Sequence, residues 1–266
     1  MNCDIFIRTY KNDIPWLQHL LKSIQAYTTG FSNIVICVPS ASSHYLQQEL
    51  NLNTSTFATT YIVPDYPNDY LGQQVTKLHA DLFCRSEFVL FIDSDCVFTS
   101  KTTPDMFVDE KGRPKILRSQ YDAIDPNLKW KGITAKALGW EPEFEYMRRH
   151  PMIYRRGDLP AFRQWFQDNR HEVLEKYILS QPGNDFSEFN AIGAWLDKFH
   201  AARYNFIDTH EKVIQEKDVK RGKNGIQHVS TVTYKDLPLP ESHVKQYWSW
   251  GGLTPEIISE MEAIGV

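Results

Sequence analysis

The stretch that most constrains this chain runs from Phe88 to Phe98, FVLFIDSDCVF. It opens with Phe88-Val89-Leu90-Phe91-Ile92, a continuous apolar run rich in aromatic and β-branched side chains. Such a run predicts a short strand buried on both faces. Asp93, Ser94 and Asp95 follow directly. Two carboxylates two residues apart at the end of a buried strand are costly unless something neutralises them. A divalent cation completed by phosphate oxygens would do so, and hard oxygen ligands suit Mg²⁺ or Mn²⁺. The plainer alternative is a turn in which Asp and Ser close the strand.

The chain before this stretch alternates between two periods. Asp4 to Thr9 reads as a strand, and Leu17, Leu20, Leu21 and Ile24 form the apolar stripe of a helix. Asp13 is placed to cap that helix, with Pro15 in its first turn. Asn33 to Val38 is a second strand, Ser42 to Leu50 a short helix, and Thr60 to Val63 a third strand. This β-α-β-α-β order predicts a mostly parallel α/β sheet with helices on its faces. Ligands of such sheets bind outside the carboxyl ends of the strands.

Two helices flank the acidic pair in sequence. Asp69 to Ser86 carries Val75, Leu78, Leu82 and Phe83 on one face, with Lys77 and Asp81 as an i, i+4 pair on another. A solvated ion pair is the bland reading of those two. Asp185 to Leu196 places Phe189, Ile192, Trp195 and Leu196 on an apolar stripe. Ser187 or Asp185 is placed to cap it, and Glu188 stands in its first turn, where a carboxylate favours the helix dipole.

Apolar strand, Asp93-Ser94-Asp95, then a second apolar run resembles the DxD motif of GT-A-fold glycosyltransferases. That family uses nucleotide-diphospho-sugar donors and usually Mn²⁺ or Mg²⁺. The resemblance covers residues 4 to 98 and, less closely, 150 to 196. It implies one Rossmann-like GT-A domain, with a nucleotide-sugar-binding half over about residues 1–100 and an acceptor half over about 101–266. It implies Thr9 and Tyr10, and with them Arg8, as nucleotide contacts at the end of the first strand. Gln73-Gln74-x-x-Lys77 is similar to a helix that lies along the donor in several GT-A groups, making Gln73, Lys77, Asp93 and Ser94 donor-side candidates. Asp95 and Asp93 become the metal ligands, with His228, and after it His243, completing the shell. Ser187-Glu188-Phe189-Asn190 looks like the acceptor-facing carboxylate element, so Glu188, with Asp185 as second choice, is the candidate catalytic base.

The remaining segments are less informative. Thr99 to Arg113 is turn-rich and reads as a hairpin, and Lys115 to Arg118 as a short strand. Tyr121 to Trp140 shows few core signals and reads as a mobile loop over the site. Its Trp130 is a candidate for stacking on an acceptor sugar, as are His150 and Trp248 for acceptor contacts. Met152 to Arg155 is a small strand, Tyr204 to Ile207 another, and the charged run Glu211 to Lys223 an exposed loop.

Composition narrows the partners. A chain of 266 residues with a net charge of −4 has no basic excess, so nucleic-acid binding is not indicated. The expected acceptor is a glycan, a lipid-linked glycan or a modified base. No run approaches the roughly 20 apolar residues that span a bilayer. The sequence also begins without a signal-type apolar segment. Four cysteines without CxxC spacing read as free thiols. The expected location is the cytoplasm. Two rivals stay open: a nucleotidyltransferase or other metal-dependent phosphoryl-handling enzyme, and a non-catalytic nucleotide-sugar-binding protein.

Overall fold

The computed structural model describes residues 1–49, 58–124, 127–147, 150–209, 214–222, 225–232 and 243–266, with 214–222, 225–232 and Trp250 described by backbone alone. In chain order the strands and helices are β1 (Cys3–Arg8), α1 (Ile14–Tyr27), β2 (Asn33–Pro39), α2 (Ser43–Glu49), β3 (Ala58–Val63), α3 (Asp69–Leu78), β4 (Phe88–Phe91), β5 (Cys96–Phe98) and β6 (Lys115–Gln120). They continue with α4 (Tyr121–Ile124), α5 (Lys129–Leu138), β7 (Phe144–Glu145), β8 (Met152–Arg155), α6 (Asp158–Arg170), α7 (Leu174–Leu179) and α8 (Glu188–His200). The last are β9 (Asn205–Asp208), β10 (Ile214–Gly222), β11 (Gly225–Val232), β12 (Val244–Tyr247) and α9 (Pro255–Ala263).

The central sheet has the order β3-β2-β1-β4-β8. The first four strands are parallel, and β8 runs antiparallel to β4. The protein is thus mixed α/β, with a mostly parallel, Rossmann-like central sheet flanked by helices. The alternation of side chains along β4 shows why both faces must be covered. Phe88, Leu90 and Ile92 pack with Leu17, Leu20 and Leu21 of α1 on one face. Val89 and Phe91 pack with Val75 and Leu78 of α3 and Phe189 and Ile192 of α8 on the other. From β1 the chain moves outward to β2 and β3, then returns to place β4 on the opposite side of β1. The crevice between the carboxyl ends of β1 and β4 is therefore a topological switch point, where such sheets take ligands.

Two smaller sheets complete the fold. β10, β11, β12 and β5 form an antiparallel sheet, and β7-β6-β9 forms a mixed one, with β6 antiparallel to β7 and parallel to β9. Because β5 begins one residue after Asp95, the pairing of Gln246 with Cys96 brings the C-terminal strand directly over the Asp-Ser-Asp turn. Among the described residues no helix is long and apolar enough to cross a membrane.

Several expectations are corrected. The segment expected as a loop, 121–140, holds α4 and α5. The buried stripe of α5 is only Thr134, Ala137 and Leu138, too small and polar to stand out, and Gly139 ends it at φ 83°. Within the charged run expected as a loop, 214–222 is a strand, because ladder hydrogen bonds with β11 need only backbone. The helix beginning at Asp69 stops at Leu78, and Leu82 lies outside the core at 68% exposure. Asp13 and Ser187 occupy the N-cap positions of α1 and α8 without making side-chain caps.

The amino end of the sheet is tied together by one buried carboxylate. Asp4 Oδ2 accepts the backbone N–H groups of Arg85 at 2.7 Å and Ser86 at 2.9 Å. Its Oδ1 accepts Ser86 Oγ at 2.7 Å and Asn33 Nδ2 at 2.8 Å. Burial raises the Asp4 pKa, but these donors outweigh it and hold the group below its ordinary 3.8. Its stabilisation is therefore present above pH 3.8 and is lost as pH falls through the lower folded value. Asp4→Asn puts an N–H where these donors need an acceptor, and we expect a loss of about 2–3 kcal/mol at pH 7 in urea unfolding. The difference from wild type should shrink as the pH drops below the ordinary carboxylate range; a constant difference would refute this account.

Candidate active site

A cavity of about 290 Å³ opens beside the switch point. One wall comes from α3, through Tyr70, Gln73, Gln74 and Lys77. Asp93 closes it from the end of β4, and His150 and Met152 stand at the start of β8. Glu188 and Phe189 enter from the first turn of α8, and Gln246 and Trp248 from the C-terminal segment.

Lys77 organises this space. Its Nζ lies 2.9 Å from Asp93 Oδ1 and 3.0 Å from Glu188 Oε1. His150 Nε2 lies 2.8 Å from Asp93 Oδ2. The Lys77 side chain is 6% exposed and that of Glu188 5%. Burial alone would lower the Lys77 pKa, but the carboxylates of Asp93 and Glu188 outweigh it and push the amine above its ordinary value. Burial likewise opposes the charge on Asp93, and His150 and Lys77 more than reverse this, keeping its carboxyl well below the ordinary range. The i, i+4 reading of Lys77 and Asp81 fails, since Asp81 is held bidentately by Arg163 at 2.6 and 2.9 Å.

Asp95 sits in a different field. Its Oδ2 accepts the Ser249 N–H at 3.0 Å, and its own carbonyl accepts the Tyr247 N–H at 2.7 Å. Burial, then the negative charges of Asp93 and Asp13, push its pKa up to about 7 against the pull of the Ser249 N–H. The same surroundings, burial foremost, raise Asp13 to about 6. This side of the turn is thus rich in carboxylates and short of cations.

A divalent cation fits here by donor chemistry. Asp95 offers a hard oxygen ligand in an unbalanced negative field, whereas Asp93 has both oxygens engaged by Lys77 and His150. Among the described residues no group of three His, Cys, Asp or Glu side chains forms a metal cage. A cation at Asp95 would take most of its ligands from substrate and water, a habit of Mg²⁺ at phosphate sites.

The structure brings together Gln73, Lys77, Asp93, Glu188, His150 and Trp248 from the residues singled out in the sequence. Arg8, Thr9 and Tyr10 stand at the end of β1 and do not line this cavity. Arg8 pairs with Asp69, and the Tyr10 phenol lies among Asp13, Asp69 and Arg8. Thr9 Oγ1 and Ser94 Oγ are buried with no partner among the described residues. Asp185 lies in the turn before α8, its N–H bonded to Pro182, and does not line the cavity. Trp130 is half-buried on α5, with Lys129 Nζ 4.3 Å from its ring centre, and is not part of the cavity either. His243 Nδ1 meets Thr102 Oγ1 at 3.3 Å and is likewise outside it. The backbone of His228 lies in β11, and its side chain falls outside the described residues. Gln74, Tyr70, Met147 and Gln246 were not picked from sequence; only Gln74 had a signal, as the helix neighbour three residues before Lys77.

The raised pKa of Asp95 carries a stability signature. Between pH 3.8 and about 7 the folded protein holds a proton that the unfolded chain has lost, so wild-type stability falls as pH rises through this window. Asp95→Asn keeps an acceptor for the Ser249 N–H and removes the charge. With divalent cations chelated, the variant should melt higher than wild type at pH 8, and the advantage should fade towards pH 4. A variant that melts lower than wild type at pH 8 would refute this.

No model of a known protein family matches the chain, and no curated protein matches it.

Proposed function

We propose that the protein is a metal-dependent glycosyltransferase of GT-A type, moving a sugar from a nucleotide-diphospho-sugar donor to an acceptor hydroxyl. The observation that carries this reading is the meeting of Asp93, Lys77 and Glu188, from three different elements, in one cavity at the switch point. A nucleotidyltransferase would want a glycine-rich phosphate loop after β1, and the chain has Arg8-Thr9-Tyr10-Lys11 there. The four cysteines are free and buried, which supports a reducing location such as the cytoplasm.

Asp95 would hold Mn²⁺ or Mg²⁺; Asp93, expected from the sequence as a second ligand, has its oxygens engaged by Lys77 and His150 and would add its charge from beside the ion. A cation bound there would act as a Lewis acid towards the departing diphosphate. Lys77 contributes a buried ammonium whose charge-assisted hydrogen bonds favour the same developing negative charge. Glu188 is the acceptor base in this reading, taking the hydroxyl proton as the new glycosidic bond forms. The ammonium shared between Glu188 and Asp93 ties the base to the donor side, so the two substrates meet across one ion-paired cluster. His150 holds Asp93 from the opposite oxygen and orients it. Trp248 and Tyr70 supply flat walls suited to a sugar ring.

Donor binding and transfer separate these roles. Calorimetry with UDP-, GDP- and ADP-sugars in Mn²⁺ should find one donor that binds wild type and is lost in Asp95→Asn. Glu188→Gln should keep that affinity while turnover falls by ~10²–10⁴. Binding that persists unchanged in Asp95→Asn removes the metal assignment. Turnover of Glu188→Gln within a few-fold of wild type removes the base assignment. Binding without any transfer or donor hydrolysis favours the non-catalytic reading.

A further inference from the structure

Glu188 opens α8, and its N-cap residue Ser187 gives that helix no side-chain cap. The Ser187 hydroxyl instead accepts Asn190 Nδ2 at 2.9 Å. The first N–H groups of a helix have no partner within it, and a buried one must find a partner elsewhere. For Glu188 that partner is 114 residues away in sequence: Gln74 Oε1 accepts its backbone N–H at 3.0 Å. Gln74 is 1% exposed and stands three residues before Lys77 on the same face of α3. Lys77 meanwhile holds the Glu188 carboxylate at 3.0 Å. One helix therefore grips one residue twice, by backbone and by side chain.

The orientation of the Gln74 amide follows from this contact. Oε1 must face the N–H, since the reverse would set donor against donor. Nε2 is then left buried with no acceptor among the described residues. An apolar side chain of similar size would avoid that cost. What the amide supplies in return is the bond that fixes Glu188.

We propose that Gln74 is the positioning residue for Glu188. It holds the start of α8 where the carboxylate reaches both Lys77 and the cavity, and it acts on acceptor proton transfer through Glu188. The proposal rests on the reading of Glu188 as the acceptor base and extends it to a residue on the donor-side helix.

Q74L and Q74M remove the acceptor, whereas Q74E keeps an oxygen at the same reach. Amide hydrogen exchange on the free proteins reads the Glu188 N–H, and steady-state kinetics with UDP-, GDP- and ADP-sugars in Mn²⁺ read transfer. Loss of one buried hydrogen bond should speed Glu188 exchange about tenfold in Q74L and Q74M. Their kcat should fall by about tenfold or more while KM for the donor stays within about twofold, the pattern of a lost transition-state interaction. Q74E should recover the exchange protection, while its added carboxylate beside Glu188 and Lys77 keeps kcat below wild type. Unchanged Glu188 protection in Q74L or Q74M overturns the proposal, as does lost protection with unchanged kcat, or a Q74E variant that recovers no protection. A wild-type protein that turns over none of these donors overturns the acceptor-base reading and the catalytic consequence together. In an active wild type, variants with normal kcat overturn the role of Gln74 alone.

Discussion

The ammonium of Lys77 lies between the buried carboxylate of Glu188 and the partly buried one of Asp93, and the arrangement of the site depends on it. Asp93 comes from the end of a strand, Glu188 from the start of a helix, and Lys77 from a third element, so the ion pairs tie three parts of the fold at one point. Such a cluster adds little net stability compared with a well-packed apolar core. Its effect is on geometry and charge. Without the lysine, two carboxylates would face each other in a poorly solvated space, and one would have to take a proton or move. With it, both are held in place by ion pairs at 2.9 and 3.0 Å.

The sheet topology explains why this cluster is possible. β4 is inserted beside β1 on the side opposite β2, which leaves a crevice at their carboxyl ends. α3, which leads into β4, and α8, which packs on the same face, both carry residues to the rim of that crevice. The C-terminal strand then pairs with β5 and places the Ser249 N–H on Asp95. The two acidic residues of one turn thus have different environments: Asp93 is engaged by Lys77 and His150, whereas Asp95 accepts the Ser249 N–H and feels the negative charges of Asp93 and Asp13. This separation lets one serve as a fixed anion while the other remains available to a cation.

Much of the parallel sheet was legible because its signals are local. Apolar runs such as Phe88–Ile92 and stripes such as Leu17, Leu20, Leu21 and Ile24 depend only on neighbours along the chain. α5 escaped notice because its buried face is built from Thr134, Ala137 and Leu138, and β10 because its pairing is made by backbone among charged side chains. Asp13 looked like a cap from its place in sequence, but its carboxyl is turned to Ser249, a residue more than two hundred positions away.

What the sequence by itself determined is the alternation of strands and helices, the buried strand ending in two carboxylates, and the presence of Lys77 and Glu188 on amphipathic helices. These follow from periodicity and from the cost of burying charge, both readable within a window of a few residues. Only the tertiary structure decided that Lys77 turns from Asp81 to Asp93 and Glu188, that Gln74 rather than Ser187 meets the first N–H of α8, and that Asp185 and Trp130 lie away from the cavity. The reason is physical. A buried ion pair or hydrogen bond is chosen by which groups the packed elements bring within about 3 Å, and no local pattern specifies that choice.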